Sequence, residues 1–211
     1  NNSNVAGVTV DFSQFGGGSA VSASNSSGTW TASYTIVAGS IDAATRNVSV
    51  SATDTAGNSA TTADTTNATV DNQTPAVTAA NISIGGATGT GGAFKTGDTV
   101  TASWDNTASG NNNTDISSVT MDFSQFGGGS SVAASNSTGT WTASYAIVAG
   151  SIDATSKNVS IQATDDAGYT TTTADDTNAS VDNAAPTVTA ARISIGGGTG
   201  TGGAFKIGDT V

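Results

Sequence analysis

Sliding this 211-residue chain by 111 positions aligns residues 1–100 with 112–211 without a gap, and 73 of those 100 positions are identical. "VTVDFSQFGGGS" at Val8–Ser19 returns as "VTMDFSQFGGGS" at Val119–Ser130. Trp30 falls on Trp141, Pro75 on Pro186, Phe94 on Phe205 and Lys95 on Lys206. A period of about 20–50 residues would point to a solenoid or propeller. A unit of 111 is the size of an independent domain. The chain reads as a window on a tandem array, and only 101–111 (TASWDNTASGN) has no second copy.

The repeat unit contains no Leu, Glu or His and is crowded with Thr, Ser, Ala, Val, Asn and Gly. The strong helix formers are scarce, whereas Thr and Val favour strands and Asn, Asp and Gly favour turns. An all-β domain follows. All 16 acids are Asp and the formal net charge is −11, a balance that favours solubility of an extended array. With 5 Lys+Arg there is no basic cluster to displace counterions, so nucleic acid is not an expected partner. No apolar run approaches the roughly 18 residues of a membrane span. The absence of a signal peptide suggests a mature product or an excised segment. Without Cys there is no disulfide framework or thiol chemistry, and without His the hydrolase triads and His-bearing metal sites fall away. An enzyme is not expected. The lack of Cys together with few basic residues suits an extracellular, cell-surface protein.

Period-two alternation marks the strands. Val119, Met121 and Phe123 share one face, as do Trp141, Ala143, Tyr145 and Ile147, then Val159, Ile161 and Ala163, and Val100, Ala102 and Trp104. In "PAVTAANISI" the phase slips between Val77/Ala79 and Ile82/Ile84. Such a slip flips the side-chain face, so a bulge or a strand that changes sheets is expected there. Pro75 and Pro186 suit the first residue of a strand, where no ladder donor is needed, and set the frame. Seven strands are expected, over 75–85, 97–104, 116–124, 130–135, 139–147, 157–164 and 169–182. That count in about 110 residues matches an immunoglobulin-like sandwich of two antiparallel sheets. Residues 1–73 then hold the last five strands of one sandwich, 74–184 a complete one, and 185–211 the first two strands of a third. Two readings of this frame stay open: a piece of a longer array, or a subunit whose first two strands complete the next copy in a filament by strand addition. "SQFGGGS" reads as an exit turn in which Gly permits positive φ.

Several motifs carry nothing. "GTGTGG" at 198–203 satisfies GxGxxG but is followed by "AFKIGDTV", a turn and strand rather than a phosphate-binding helix. "GGATGTGG" lacks the Asp of β-roll calcium repeats, and no EF-hand loop is present. Sequons such as Asn47 and Asn158 are expected by chance in so Ser/Thr/Asn-rich a chain.

"ATDTAGN" at 52–58, "ATDDAGY" at 163–169, "VDNQTP" at 70–75, "VDNAAP" at 181–186 and "GDTV" at 97–100 and 208–211 together resemble the bacterial Ig-like repeats of giant surface adhesins, of the biofilm-associated and RTX-adhesin extender kind. The resemblance covers the whole repeat. It implies a rod-like spacer that carries a distal binding region away from the cell, packs against neighbouring repeats of its own chain and is often stiffened by Ca²⁺ at the junctions. "VDNQTP" is also similar to the calcium-binding linker of cadherins, with fewer acids. Ca²⁺ takes about six to eight hard oxygens. In a seven-strand sandwich the loops at the entry pole would bring Asp71 and Asn72 of the linker near Asp165 and Asp166, with Asp105 and Asp115 able to join. The next junction offers Asp182 and Asn183, and Asp54 is the first repeat's counterpart of Asp165. The other reading of these residues is that Asp and Asn are simply good turn formers.

Overall fold

The computed structural model describes residues 3–211. The first repeat forms β1 (Val5–Asp11), β2 (Val21–Ser22), β3 (Ser24–Ser26), β4 (Thr29–Thr31), β5 (Asp42–Arg46), β6 (Ser49–Asp54), β7 (Ser59–Ala63) and β8 (Ala68–Asp71). The next forms β9 (Ile82–Gly85), β10 (Phe94–Lys95), β11 (Thr99–Asp105), β12 (Ile116–Asp122), β13 (Val132–Ala133), β14 (Ser135–Ser137), β15 (Thr140–Ala146), β16 (Asp153–Lys157), β17 (Ser160–Asp165), β18 (Thr170–Ala174) and β19 (Ala179–Asp182). No helix among the described residues is long and apolar enough to cross a membrane.

In the second repeat two four-stranded antiparallel sheets, ordered β14-β15-β11-β9 and β13-β12-β17-β18, share one core. That is the strand order of an immunoglobulin-like sandwich, the fold class expected from the sequence. The alternating sets do what their spacing requires. Val100, Ala102 and Trp104 of β11 meet Trp141 and Ala143 of β15 from one sheet, and Val119, Met121, Ile161 and Ala163 come from the other. Trp104 lies directly opposite Trp141. Its indole N–H donates to Asn111 Oδ1 at 2.8 Å, which satisfies the polar edge of a fully buried ring.

The phase slip at 75–85 is a crossing between sheets. Thr173 Oγ1 of β18 donates to the Val77 carbonyl, a 3₁₀ turn at Ala79–Asn81 shifts the chain, and β9 then joins β11 on the opposite sheet. "SQFGGGS" is a turn, as expected: Ser124–Phe126 is a 3₁₀ turn closed by Gly127 at φ 88°. Phe126 is nevertheless buried, edge-on to Phe94 with ring centroids 5.4 Å apart. The strand expected over 169–182 is two strands. Asn178 takes φ 55°, and beyond it β19 leaves β18 to join a third sheet, β10-β19-β16, in which β10 runs parallel to β19. β16 has no clean alternation because Ser156, at φ 58°, sits in a register shift between Ala154 and Lys157.

Near-identical sequence takes different structure where its neighbour differs. β15 runs seven residues beside β11, whereas the matching stretch of the first repeat is strand only over Thr29–Thr31. "ISIG" is strand β9 at 82–85 and irregular at 193–196. Residues 185–211 carry 3₁₀ turns at Ala190–Arg192 and Thr201–Gly203, as in the repeat before, but no strand. A strand needs a partner for its backbone groups.

Candidate functional site

The sharpest concentration of charge lies where β5 and β8 of the first repeat meet the 105–115 loop of the second. In the antiparallel β5–β8 pair the register sets Asp42 directly opposite Asp71, an arrangement in which like charges destabilise a ladder. The loop brings up a third acid. Its start is organised by Asp105, whose carboxylate accepts from Thr107 N–H at 2.8 Å, while Asn111 N–H donates to the Asp105 carbonyl. Asn113 then clamps the linker, accepting from Ala76 N–H and donating to the Ala76 carbonyl. Thr114 Oγ1 reaches Asp42 Oδ2 at 3.3 Å. One carboxylate oxygen from each of Asp42, Asp71 and Asp115 lies within 4.8 Å of the other two.

Asp115 has its carboxyl pushed above the ordinary carboxylate range, first by its burial and then, against a favourable backbone hydrogen bond, by the charges of Asp42, Asp71 and Asp165. A cavity of about 150 Å³ opens beside the triad, walled by residues 73–76 and 111–115. On the other side Thr69, Asp166 and Ala167 line a depression that Asp42, Asp71 and Asp115 share. Asp166 N–H donates to the Asp115 carbonyl at 2.9 Å, tying the 166–169 turn to the site.

The eight candidates from the sequence divide clearly. Asp71, Asp115 and Asp166 come together. Asp165 lies buried close behind, with Oδ1 accepting from Tyr169 N–H at 2.7 Å and Oδ2 without a partner. Asp105 serves the loop, and its hydrogen bonds from Thr107 lower its carboxyl. Asn72 and Asn183 play a different part from the one expected. Asn72 Oδ1 accepts from Ile41 N–H and its Nδ2 donates to the Val37 carbonyl. Asn183 repeats this with Ile152 N–H and the Val148 carbonyl. Both amides are buried and committed to backbone. Asp182 stands opposite Asp153 in the β16–β19 pair, a second like-charged couple, and among the described residues no third carboxylate joins it.

Asp42 is the member that sequence reasoning missed. It sits on a strand that carries no visible alternation. A signal did exist, because "SIDA" is unchanged between 40–43 and 151–154 while the three residues after it all differ.

Three carboxylates at this spacing offer up to six hard oxygens, a donor set suited to Ca²⁺ rather than to a soft or imidazole-seeking metal. An ion there would relieve the Asp42–Asp71 opposition and the load on Asp115. No protein-family model matches the sequence, and no curated protein matches it.

Proposed function

We propose that this chain is a structural extender segment of a bacterial cell-surface adhesin: non-catalytic, extracellular, projecting a distal binding region, and stiffened by Ca²⁺ at its junction. The observation that carries the reading is the convergence of Asp42 and Asp71 from one repeat with Asp115 from the next. Three carboxylates held this close repel one another, and a cation between them would relieve that repulsion and fix the angle of a spacer at the same place. Asp166 and the cavity beside the linker supply further oxygens and room for water. The tandem sandwich and the acidic, weakly hydrophobic composition support a rod that stays soluble at length. Extracellular modules bind Ca²⁺ at about 10⁻⁴–10⁻³ M, and a tenfold excess over the dissociation constant stabilises by roughly 1.4 kcal/mol.

Small-angle scattering of the chain in millimolar Ca²⁺ and again in excess EDTA, with melting curves alongside, tests this. A longest dimension that shortens, or a flexibility that rises, on chelation is expected, together with a lower melting temperature. Profiles that superimpose, with unchanged melting, would remove calcium from the reading and leave a passive spacer.

A further inference from the structure

The chain between the two repeats passes from one body to the other within a few residues. Asn72 belongs to the first repeat. Its N–H donates to the Ile41 carbonyl, its carbonyl accepts from Gly39 N–H, and its side-chain amide bonds Ile41 and Val37. Ala76, Val77 and Thr78 are each bonded to the second repeat. Ala76 N–H donates to Asn113 Oδ1 at 2.8 Å while the Ala76 carbonyl accepts from Asn113 Nδ2 at 2.9 Å, so one side-chain amide pairs with the linker as a neighbouring strand does. The Val77 carbonyl accepts from Thr173 Oγ1 at 2.8 Å, and Thr78 N–H donates to Asn111 Oδ1 at 3.2 Å. Pro75 and Val77 are buried. Both asparagines are themselves anchored in the sandwich. Asn106, 9% exposed, accepts from Asn113 N–H and donates to the Asn113 carbonyl, and Asn111 Oδ1 also takes the indole N–H of Trp104. Between the two blocks stand Gln73 and Thr74, both exposed. Gln73 N–H donates to the neighbouring Asp71 carboxylate, and among the described residues Thr74 makes no hydrogen bond.

We propose that the two repeats turn about a single pivot at Gln73–Thr74, and that residues 75–78 travel with the second repeat as part of its body, held by Asn111 and Asn113 whether or not a cation is bound. Pro75 disfavours helical backbone at Thr74, so the swing is narrow rather than free. The acidic triad straddles this pivot, because Asp42 and Asp71 lie before it and Asp115, at the end of the loop that carries both asparagines, lies after it. The pivot itself rests on the hydrogen bonding of the linker and not on the adhesin or calcium reading, so the test is run in EDTA.

Thr74 and Ala76 are both exposed, so exposure alone predicts the same amide hydrogen exchange at the two positions. With the linker braced, Ala76 N–H is expected to exchange at least about 100-fold more slowly than in an unstructured chain, and Thr74 N–H within about threefold of the unstructured rate. Asn113→Ala is expected to speed exchange at Ala76 by at least about tenfold while the amides of β12 and β17 keep their protection. The contrast between Thr74 and Ala76 is read in the parent and does not depend on that variant folding. The chain has no cysteine, so spin labels at Thr61→Cys and Thr172→Cys, exposed positions on either side of the joint, report the distance between repeats without background. Thr74→Gly is expected to broaden that distance distribution by at least about half, because glycine opens backbone angles closed to a threonine before proline. Ala76→Gly, two residues on, is expected to leave the distribution unchanged. Equal exchange at Thr74 and Ala76, an Ala76 amide that stays protected in folded Asn113→Ala, or equal broadening by the two glycines would each overturn the proposal.

Discussion

Asn183→Ala separates a structural clamp from a metal ligand. The amide is 5% exposed and bridges the loop before β16: Oδ1 accepts from Ile152 N–H at 2.8 Å and Nδ2 donates to the Val148 carbonyl at 3.0 Å. Gly150 packs flat against it, and a Cβ there would lie 2.9 Å from both Asn183 Nδ2 and Oδ1. Alanine removes both partners. The Ile152 N–H is left half-buried and unpaired, at about 1–2 kcal/mol, while the Val148 carbonyl sits on an exposed residue and recovers a water, for about 1 kcal/mol more. The sum is about 2–3 kcal/mol, and at about 4 °C per kcal/mol for a domain of this size the repeat should melt about 8–12 °C lower. Differential scanning calorimetry in EDTA and in millimolar Ca²⁺ measures it. The calcium-dependent rise in melting temperature should be the same in variant and parent. A variant that melts within about 2 °C of the parent in EDTA, or one that loses the calcium-dependent rise, would refute the clamp.

Other outcomes follow from the same structure. Asp115→Asn should melt higher than the parent in EDTA and should lose the response to Ca²⁺, as two titrated melting series would show. Because the Asp115 carboxyl is raised in the folded state, the folded chain binds the extra proton, and stability from this group rises as pH falls toward the ordinary carboxylate value. Asp98 behaves in the opposite sense: hydrogen bonds from Thr88, then from Lys95, hold it far below that value, so its contribution is complete above the ordinary range and is lost in stronger acid. Asp98→Asn should flatten the acid limb of a pH–melting profile. Gly128→Ala sets a Cβ 2.8 Å from Phe123 Cβ and from Tyr145 Cγ, and crowding of this kind destabilises by about 1–3 kcal/mol in a urea titration. Trp104→Ala leaves a large cavity and takes the indole N–H from the Asn111 side chain, which keeps only its bonds with Thr78, for a loss of about 3–5 kcal/mol by the same titration.

The strands that build the two facing sheets were legible because each buries one face, which writes period two into β11, β12, β15 and β17. Where a segment buries no face, nothing is written. β16 is bulged and mostly exposed, so neither it nor its Asp42-bearing counterpart β5 shows in the pattern. The split of the last expected strand turned on the backbone of Asn178, a residue equally at home in a loop. The site was half legible: "VDN" marks Asp71 and the 163–169 turn marks Asp166, but pairing of β5 with β8, which brings Asp42 opposite Asp71, is a tertiary fact. The two asparagines were misread because a buried amide that closes a loop and an amide that binds a cation occupy the same kind of position next to an Asp. The unpaired "ISIG" at 193–196 makes the same point for the backbone, since its composition favours a strand and only a neighbour makes it one.

The parallel run of β10 beside β19 bears on how the molecule meets a load. One of these strands lies near the start of the complete repeat and the other near its finish, and both point the same way. Tension applied through the chain therefore slides them past each other, so their bonds bear the force together, whereas strands of a hairpin peel apart one bond at a time. Phe94, wedged edge-on against Phe126 at the same place, must leave the core before the pair can slip. Single-molecule pulling should find a lower rupture force in Phe94→Leu than in the parent, and an unchanged force would locate the resistance elsewhere. With the latch at β10 and β19, what the repeat withstands is set by a few residues at its seam, and the large sheets behind them unravel only after the seam has given way.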